Sequence, residues 1–131
     1  MRSIIVDFPV YHPIITASVG DVNKELWATC HKGTDFAGRE GHEIKSVLDG
    51  TVQLCGWHGK LGLRVWILSD DIRCLYAHLS GILADKVGQV VKRGEVIGLM
   101  GSTGNSTNPH LHFGIEDQHR NIIRPIFKGG L

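Results

Sequence analysis

The chain has few cysteines, and those it has are poorly placed for cross-linking. Cys30, Cys55 and Cys74 are an odd number in 131 residues and form no CxxC pair. That excludes a disulfide framework and a cysteine-ligated zinc site, and leaves buried free thiols as the reading. Long apolar runs are also missing. None approaches the roughly 20 residues that a membrane-spanning helix needs, so no membrane insertion is expected. The short apolar run after Arg2 is broken by Asp7, Pro9, His12 and Pro13, before a signal-peptide core of roughly 7 to 15 apolar residues can form. No Sec export signal is therefore read at the N-terminus.

Neither charge sign is in excess. Lys and Arg number 14 against 13 Asp and Glu, a formal charge of +1, which lacks the basic footprint of a nucleic-acid-binding protein. What the chain has in excess is glycine, 17 residues in 131, against a usual share of about 7%. Between Gly33 and Gly62 no stretch free of glycine exceeds eight residues, shorter than the mean helix of about 11 to 12 residues. The hydrophobic share of 42% and charged share of 21% are those of a folding globular chain, which excludes a disordered or collagen-like polymer. One compact domain fits this length.

Along the chain, residues 1–30 lack regular alternation and read as an N-terminal wrap, with Asp21 capping a short helical segment to Trp27. Residues 31–131 read as the main domain. Ile44–Leu48 and Thr51–Cys55 read as strands around a bend or hairpin at Gly50. Leu63–Leu68 and Ile72–Ala77, separated by Ser69-Asp70-Asp71, read as a hairpin. Short valine and isoleucine pieces punctuated by Gly88, Gly94 and Gly98 continue the β pattern. Gly101–Pro109 is a polar loop, and His110–Ile115 a strand that starts just after Pro109. The sum is an all-β domain of two packed or partly closed sheets.

Strand periodicity puts His110 and His112 on one face while Leu111 and Phe113 point into the core. In His31-Lys32-Gly33-Thr34-Asp35 a small glycine lets the backbone turn so that an imidazole and a carboxylate can meet. With His112 these make a His, Asp, His set of the kind that a catalytic zinc uses while keeping a fourth position open. Such a metal lowers the pKa of water and polarises a carbonyl, and hydrolysis then needs a proton carrier. His78 and His110 are the available imidazoles; a purely structural role is the alternative for each. His12, His42, His58 and His119 lack a spaced partner and read as surface residues. Trp57 and His58 lie in the glycine-rich loop Gly56–Lys60. That loop can border a cleft or be a packed turn. With Asn105 of the polar loop, these two are the candidate substrate-groove residues.

These segments taken together resemble a known family. His31-x-Gly-x-Asp35, Tyr76-Ala-His78-Leu-Ser80, and Gly101-x-Thr-Gly104 leading to Pro109-His-Leu-His-Phe113 are similar in order and spacing to the M23 zinc endopeptidases of the lysostaphin and LytM type. Asp49-Gly-Thr-Val52, Gly56-Trp57 and Val87–Gly98 extend the likeness, which covers about residues 31–115. The resemblance implies an antiparallel β sheet with a groove above it. It also implies one zinc ion on His31, Asp35 and His112, catalytic roles for His78 and His110, and bacterial peptidoglycan as substrate. The bond is one of the stem peptide or cross-bridge, such as a glycine bridge or a D-alanyl-diaminopimelate cross-link.

The chain departs from the family at Gly114, where glutamate is common, at Lys32, where proline is common, and over Lys60–Trp66, where many members have a Gly-Asn-Tyr start. The last difference bears on the wall of the groove.

Three rival readings follow from the same residues. A biotinyl or lipoyl carrier shares the Val87–Gly98 turn pattern, but neither Met-Lys-Met nor Asp-Lys-Ala occurs. A catalytically silent binding or regulatory module of the same fold would show a broken ligand set, whereas all five residues are present. A phosphate loop at Gly101–Gly104 lacks the following Gly-Lys-Ser/Thr. The expectation is a monomeric zinc endopeptidase, made in the cytoplasm and acting at the bacterial cell wall. Its release is by phage lysis, by virion delivery or by another route.

Overall fold

Buried and half-buried side chains alternate through His110–Asp117: Leu111, Phe113 and Ile115 are in the core, and His110 and His112 lie on the opposite face. The same period-two pattern recurs in most of the strands, which is what a sheet with one face on a core requires. The structure is a computed structural model that describes residues 2–20 and 32–128. Its strands are β1 (Ser3–Asp7), β2 (Ile15–Ala17), β3 (Thr34–Ala37), β4 (Glu43–Lys45), β5 (Gly50–Trp57), β6 (Leu63–Ser69), β7 (Ile72–Ile82), β8 (Val90–Val91), β9 (Val96–Met100), β10 (His110–Asp117) and β11 (Arg124–Lys128). The expected helical segment Asp21–Trp27 lies outside the described residues. Among the described residues no helix is long and apolar enough to cross a membrane.

The main sheet runs β2-β3-β10-β7-β6-β5-β8, with β9 joining β7 and β4 pairing with β9; these pairs are antiparallel. The all-β reading and the open antiparallel sheet are as expected. The hairpin of β6 and β7 also forms where β-branched residues flank the turn, with Asp70 in left-handed backbone at φ 55°. Other expectations are corrected. The β7 strand does not end at Ala77 but runs to Ile82, because it changes partner. Its first part pairs with β10 as far as Ala77, and its last part pairs with β9 from Leu79 onward. The Gly50 region is a bend and not a hairpin, since β4 pairs with β9 while β5 pairs with β6 and β8. Asp35 lies within strand β3 and not in a turn.

A second, two-stranded sheet joins the two ends of the described chain: β1 and β11 run parallel, Ser3 opposite Arg124 through Asp7 opposite Lys128. Val6 and Val10 enter the core from this side. Phe127 stacks on Phe8 with ring centroids 5.1 Å apart and meets Phe36 edge-on at 5.4 Å. Phe36 is fully buried directly beside Asp35 in sequence. This aromatic cluster therefore anchors β3 from behind; fully burying a Phe contributes about 1.5–3 kcal/mol.

Candidate active site

The site begins with a cross-strand pair. Asp35 on β3 is the register partner of His112 on β10, and both point away from the core because Phe36, Leu111 and Phe113 fill it. Nδ1 of His112 lies 2.8 Å from Oδ1 of Asp35. Gly33 sets which edge of the imidazole is offered. A Cβ there would come within 2.9 Å of His112 Nε2 and 2.8 Å of Cε1, so the Nε2 edge lies against the Gly33 backbone and Nδ1 faces the carboxylate. Gly33 thus acts through close approach; its φ is not in the left-handed region.

These two donors, one imidazole nitrogen and one carboxylate oxygen, are the types that zinc takes in catalytic sites. Their convergence on one point fits a metal there. Among the described residues there is no group of three or more His, Cys, Asp or Glu side chains that could hold one. The third expected ligand, His31, lies outside the described residues.

His78 stands where β7 exchanges β10 for β9, between Ala77, paired with His112, and Leu79, paired with Met100. Its φ is 62°, left-handed and unfavourable for a residue with a side chain. The surrounding bonds hold it there. Nδ1 lies 2.7 Å from the Thr103 carbonyl oxygen, an acceptor only, so Nδ1 carries the proton and Nε2 is left with the lone pair. Burial is the main cause that lowers the His78 pKa from its ordinary value. The Thr103 carbonyl opposes it, while His110 and His112 add to the lowering.

The ring of His110 lies 4.7 Å from that of His78, and the ring of His112 lies 6.2 Å from it. His110 Nδ1 is 2.9 Å from the Asn108 carbonyl and 3.1 Å from Ser106 Oγ. The Asn108 carbonyl likewise accepts a proton from Nδ1 and leaves Nε2 as the other functional nitrogen. Three imidazoles and one carboxylate are thus gathered on one face, and among the described residues no hydrogen bond engages the outer nitrogens of His78 and His110.

Thr103 carried a motif position but no assigned role in the sequence. Its hydroxyl donates to the Leu79 carbonyl at 2.6 Å and accepts from the Leu63 N–H at 3.1 Å, so it ties the polar loop to β6 and β7. The glycines on either side of the loop contact are required: Gly104 sits at φ 74° against Gly62, and a side chain on either would strike the other's backbone. Asn105 N–H donates to the Lys60 carbonyl at 2.8 Å. That bond joins Asn105 to the 3-10 turn Gly59–Leu61, which follows Trp57 and His58. Trp57, His58 and Asn105 are all exposed; they line the two facing loops and have no direct contact with the histidine cluster among the described hydrogen bonds and ring contacts. The surface reading holds for His12, His42 and His119. Cys74 is buried and Cys55 is partly buried, both as free thiols, while Cys30 lies outside the described residues.

Comparison with known proteins gives a consistent result. The sequence matches peptidase family M23 over residues 29–124. It is 41% identical over 93 residues to the peptidoglycan DD-endopeptidase ShyB of Vibrio cholerae serotype O1, covering 70% of this chain and 22% of that protein. It is also 41% identical over 87 residues to the glycyl-glycine endopeptidase ALE-1 of Staphylococcus capitis, covering 63% and 24%. The chain therefore spans about a fifth to a quarter of the length of these curated relatives. A zinc-containing peptidase from Vibrio cholerae superposes with a TM-score of 0.80 at 34% identity, over 90% of this chain and 38% of that one.

Proposed function

The chain belongs to peptidase family M23, and from that premise we propose that it is a zinc-dependent endopeptidase that hydrolyses peptide bonds of bacterial peptidoglycan. The observation that carries the proposal is the pairing of Asp35 with His112 beside two imidazoles, His78 and His110, whose inner nitrogens are both held by main-chain carbonyls. His31, Asp35 and His112 would hold the zinc. When bound, zinc supplies Lewis acidity, which activates water and polarises the scissile carbonyl.

The rest of the chemistry belongs to the chain. The tautomer fixed by Thr103 presents the His78 Nε2 lone pair to the space above the pair, where it accepts a proton from water. His110, less deeply placed and hydrogen-bonded at Nδ1 to Asn108, presents Nε2 to the same space. There, as the imidazolium carrying a proton on Nε2 as well as Nδ1, it donates a hydrogen bond to the oxyanion, while the proton that His78 took from water passes from its Nε2 to the leaving amine. Trp57, His58 and Asn105, on the two facing loops, form the wall along which the peptide lies. We assign the catalytic unit to residues 31–131, with residues 1–30 as an N-terminal wrap or extension. Such an activity is exercised at the bacterial cell wall.

The test is separate His78→Ala and His110→Ala substitution, with zinc content measured beside turnover of purified sacculi. Each variant should retain the metal and lose turnover by about 100-fold or more, the range of a positioned acid or base. Wild-type turnover in both variants would overturn the assignment.

A further inference from the structure

The row of side chains that holds His110 continues into a cavity. His110 on β10 is the register partner of Ala37 on β3, and Ala37 shares the face of Asp35 because Phe36 between them is buried in the core. Side chains paired in this way have Cβ atoms about 4.5–5.5 Å apart. Ala37 also lines a cavity of about 410 Å³. The floor of that cavity is apolar: Val10 and Met100 are buried, and Ala37 and Gly38 are half-buried. Tyr11 and Ile14 stand exposed at its rim, where His12, His42 and Glu43 are the polar groups. Gly101, which follows Met100 in the chain, is bridged to His110, so two independent contacts join the cavity to that catalytic residue.

The outer wall is the segment from Val10 to Ile14, which precedes residues 29–124 matched to the family. It is fastened at three points. The Lys45 N–H donates to the Pro9 carbonyl at 2.8 Å, the Ala37 N–H donates to the Ile14 carbonyl at 2.9 Å, and Lys45 Nζ lies 3.8 Å from the centroid of the Tyr11 ring. Between these points His12 is held in left-handed backbone at φ 51°, a conformation that persists only where the surroundings impose it. The wall is therefore preformed. The open space depends on Gly38, since a Cβ there would come within 2.7 Å of Met100 Sδ and 2.8 Å of His42 Nδ1.

We infer that this cavity is a substrate subsite that takes an aliphatic side chain borne by the substrate peptide one or two residues from the cleaved amide. The inference rests on the peptidase reading above. An extended peptide advances about 3.3 Å per residue, so a chain whose cleaved amide lies at His110 passes Ala37 within about two residues. An apolar floor under a polar rim suits a hydrocarbon group. A carboxylate would be buried there without a partner, which is costly, and glycine or alanine would leave the space unfilled. The wild type therefore selects the linear aliphatic chain by burial.

The test uses two series of synthetic peptides, one around a glycyl-glycine bond and one around a D-alanyl-diaminopimelate bond. In each, alanine, norleucine or glutamate is placed in turn one and two residues from that bond on either side. Cleavage is read on zinc-loaded protein, and binding on the same protein with analogues in which a methylene replaces the scissile carbonyl. The proteins are the wild type, Ile14→Asn, which makes the wall polar, and Gly38→Ala, which fills the floor; Tm reports their folding. At one position the wild type should bind the norleucine peptide at least tenfold more tightly than the alanine or glutamate peptide, because several methylenes are buried. Both variants should bind norleucine and alanine peptides alike and cleave the alanine peptide as the wild type does. Equal binding of all three peptides by the wild type at every position, an unchanged preference in either folded variant, or an equal loss on norleucine and alanine peptides would overturn the inference. Cleavage without any such preference would overturn it and leave the peptidase reading standing. A norleucine preference that depends on Ile14 and Gly38, found without cleavage of either series, would uphold the subsite and count against the peptidase reading instead.

Discussion

Thr103 holds His78 by both of its polar groups. Its carbonyl oxygen lies 2.7 Å from His78 Nδ1, and its hydroxyl donates at 2.6 Å to the carbonyl of Leu79, the next residue on β7. The imidazole and the strand that carries it are thus fixed by one residue of the opposite loop, the ring through its main-chain carbonyl and the strand through its hydroxyl. Because the residue works through His78, it is a positioning residue and not one that touches the substrate.

Thr103→Val removes both hydroxyl bonds while keeping the shape. Loss of such an outer partner typically costs 10- to 100-fold in activity, so kcat should fall about that much with KM changed less. Thr103→Ser should restore most of it. Nitrogen-15 shifts of the His78 ring should report a single Nδ1–H tautomer in wild type and Ser variant, and a mixture in the Val variant. A single tautomer and undiminished kcat in Thr103→Val would remove Thr103 from the account.

Gly33→Ala tests the placement of His112. The added methyl would strike the Phe113 carbonyl and press on the imidazole edge, so the ring must move from Asp35. A stability loss of about 1–3 kcal/mol is expected from such overpacking. Zinc affinity, measured by competition with a chromophoric chelator, should fall at the same time. Unchanged affinity would show that the His112 position tolerates the shift.

The fold and the site were legible where the signal is local. The hairpin of β6 and β7 follows from β-branched runs around Ser69-Asp70-Asp71, and the shared face of His110 and His112 follows from strand periodicity. Gly33 was legible as a required glycine, but for the wrong reason, because nothing in a single segment reveals that another strand's imidazole packs on it. The partner exchange of β7 at His78 is likewise set by β9 and β10, not by the sequence around Tyr76–Ser80. The parallel pair of β1 and β11 joins opposite ends of the chain, where no local pattern specifies a partner. The Arg64 Nε, which has no hydrogen-bond partner among the described residues, became visible only once β5 and β7 were in place on either side.

Cys74 gives a prediction on pH. Burial pushes its thiol up to about 12 from an ordinary 9.0. The unfolded chain therefore releases this proton first as pH rises, and the native state is destabilised between pH 9 and 12, by up to about 1.4 kcal/mol per pH unit. Denaturant midpoints should show this slope in wild type. In Cys74→Ala they should start lower and fall less steeply above pH 9. Peptide mapping after alkylation at pH 8 should find Cys74 unmodified in the native protein and modified after unfolding. Alkylation of native Cys74 at the rate of a free thiol would contradict its burial.

The central claim is metal-dependent cleavage of peptidoglycan peptides, and mass spectrometry of muropeptides released from purified sacculi tests it most directly. Gram-negative and Gram-positive sacculi are treated with zinc-loaded, chelator-stripped and zinc-restored protein. The account predicts new peptide amino termini that vanish with the chelator and return with zinc. Sacculi of every wall type left unchanged by the zinc-loaded protein, or cleavage that persists without metal, would contradict it.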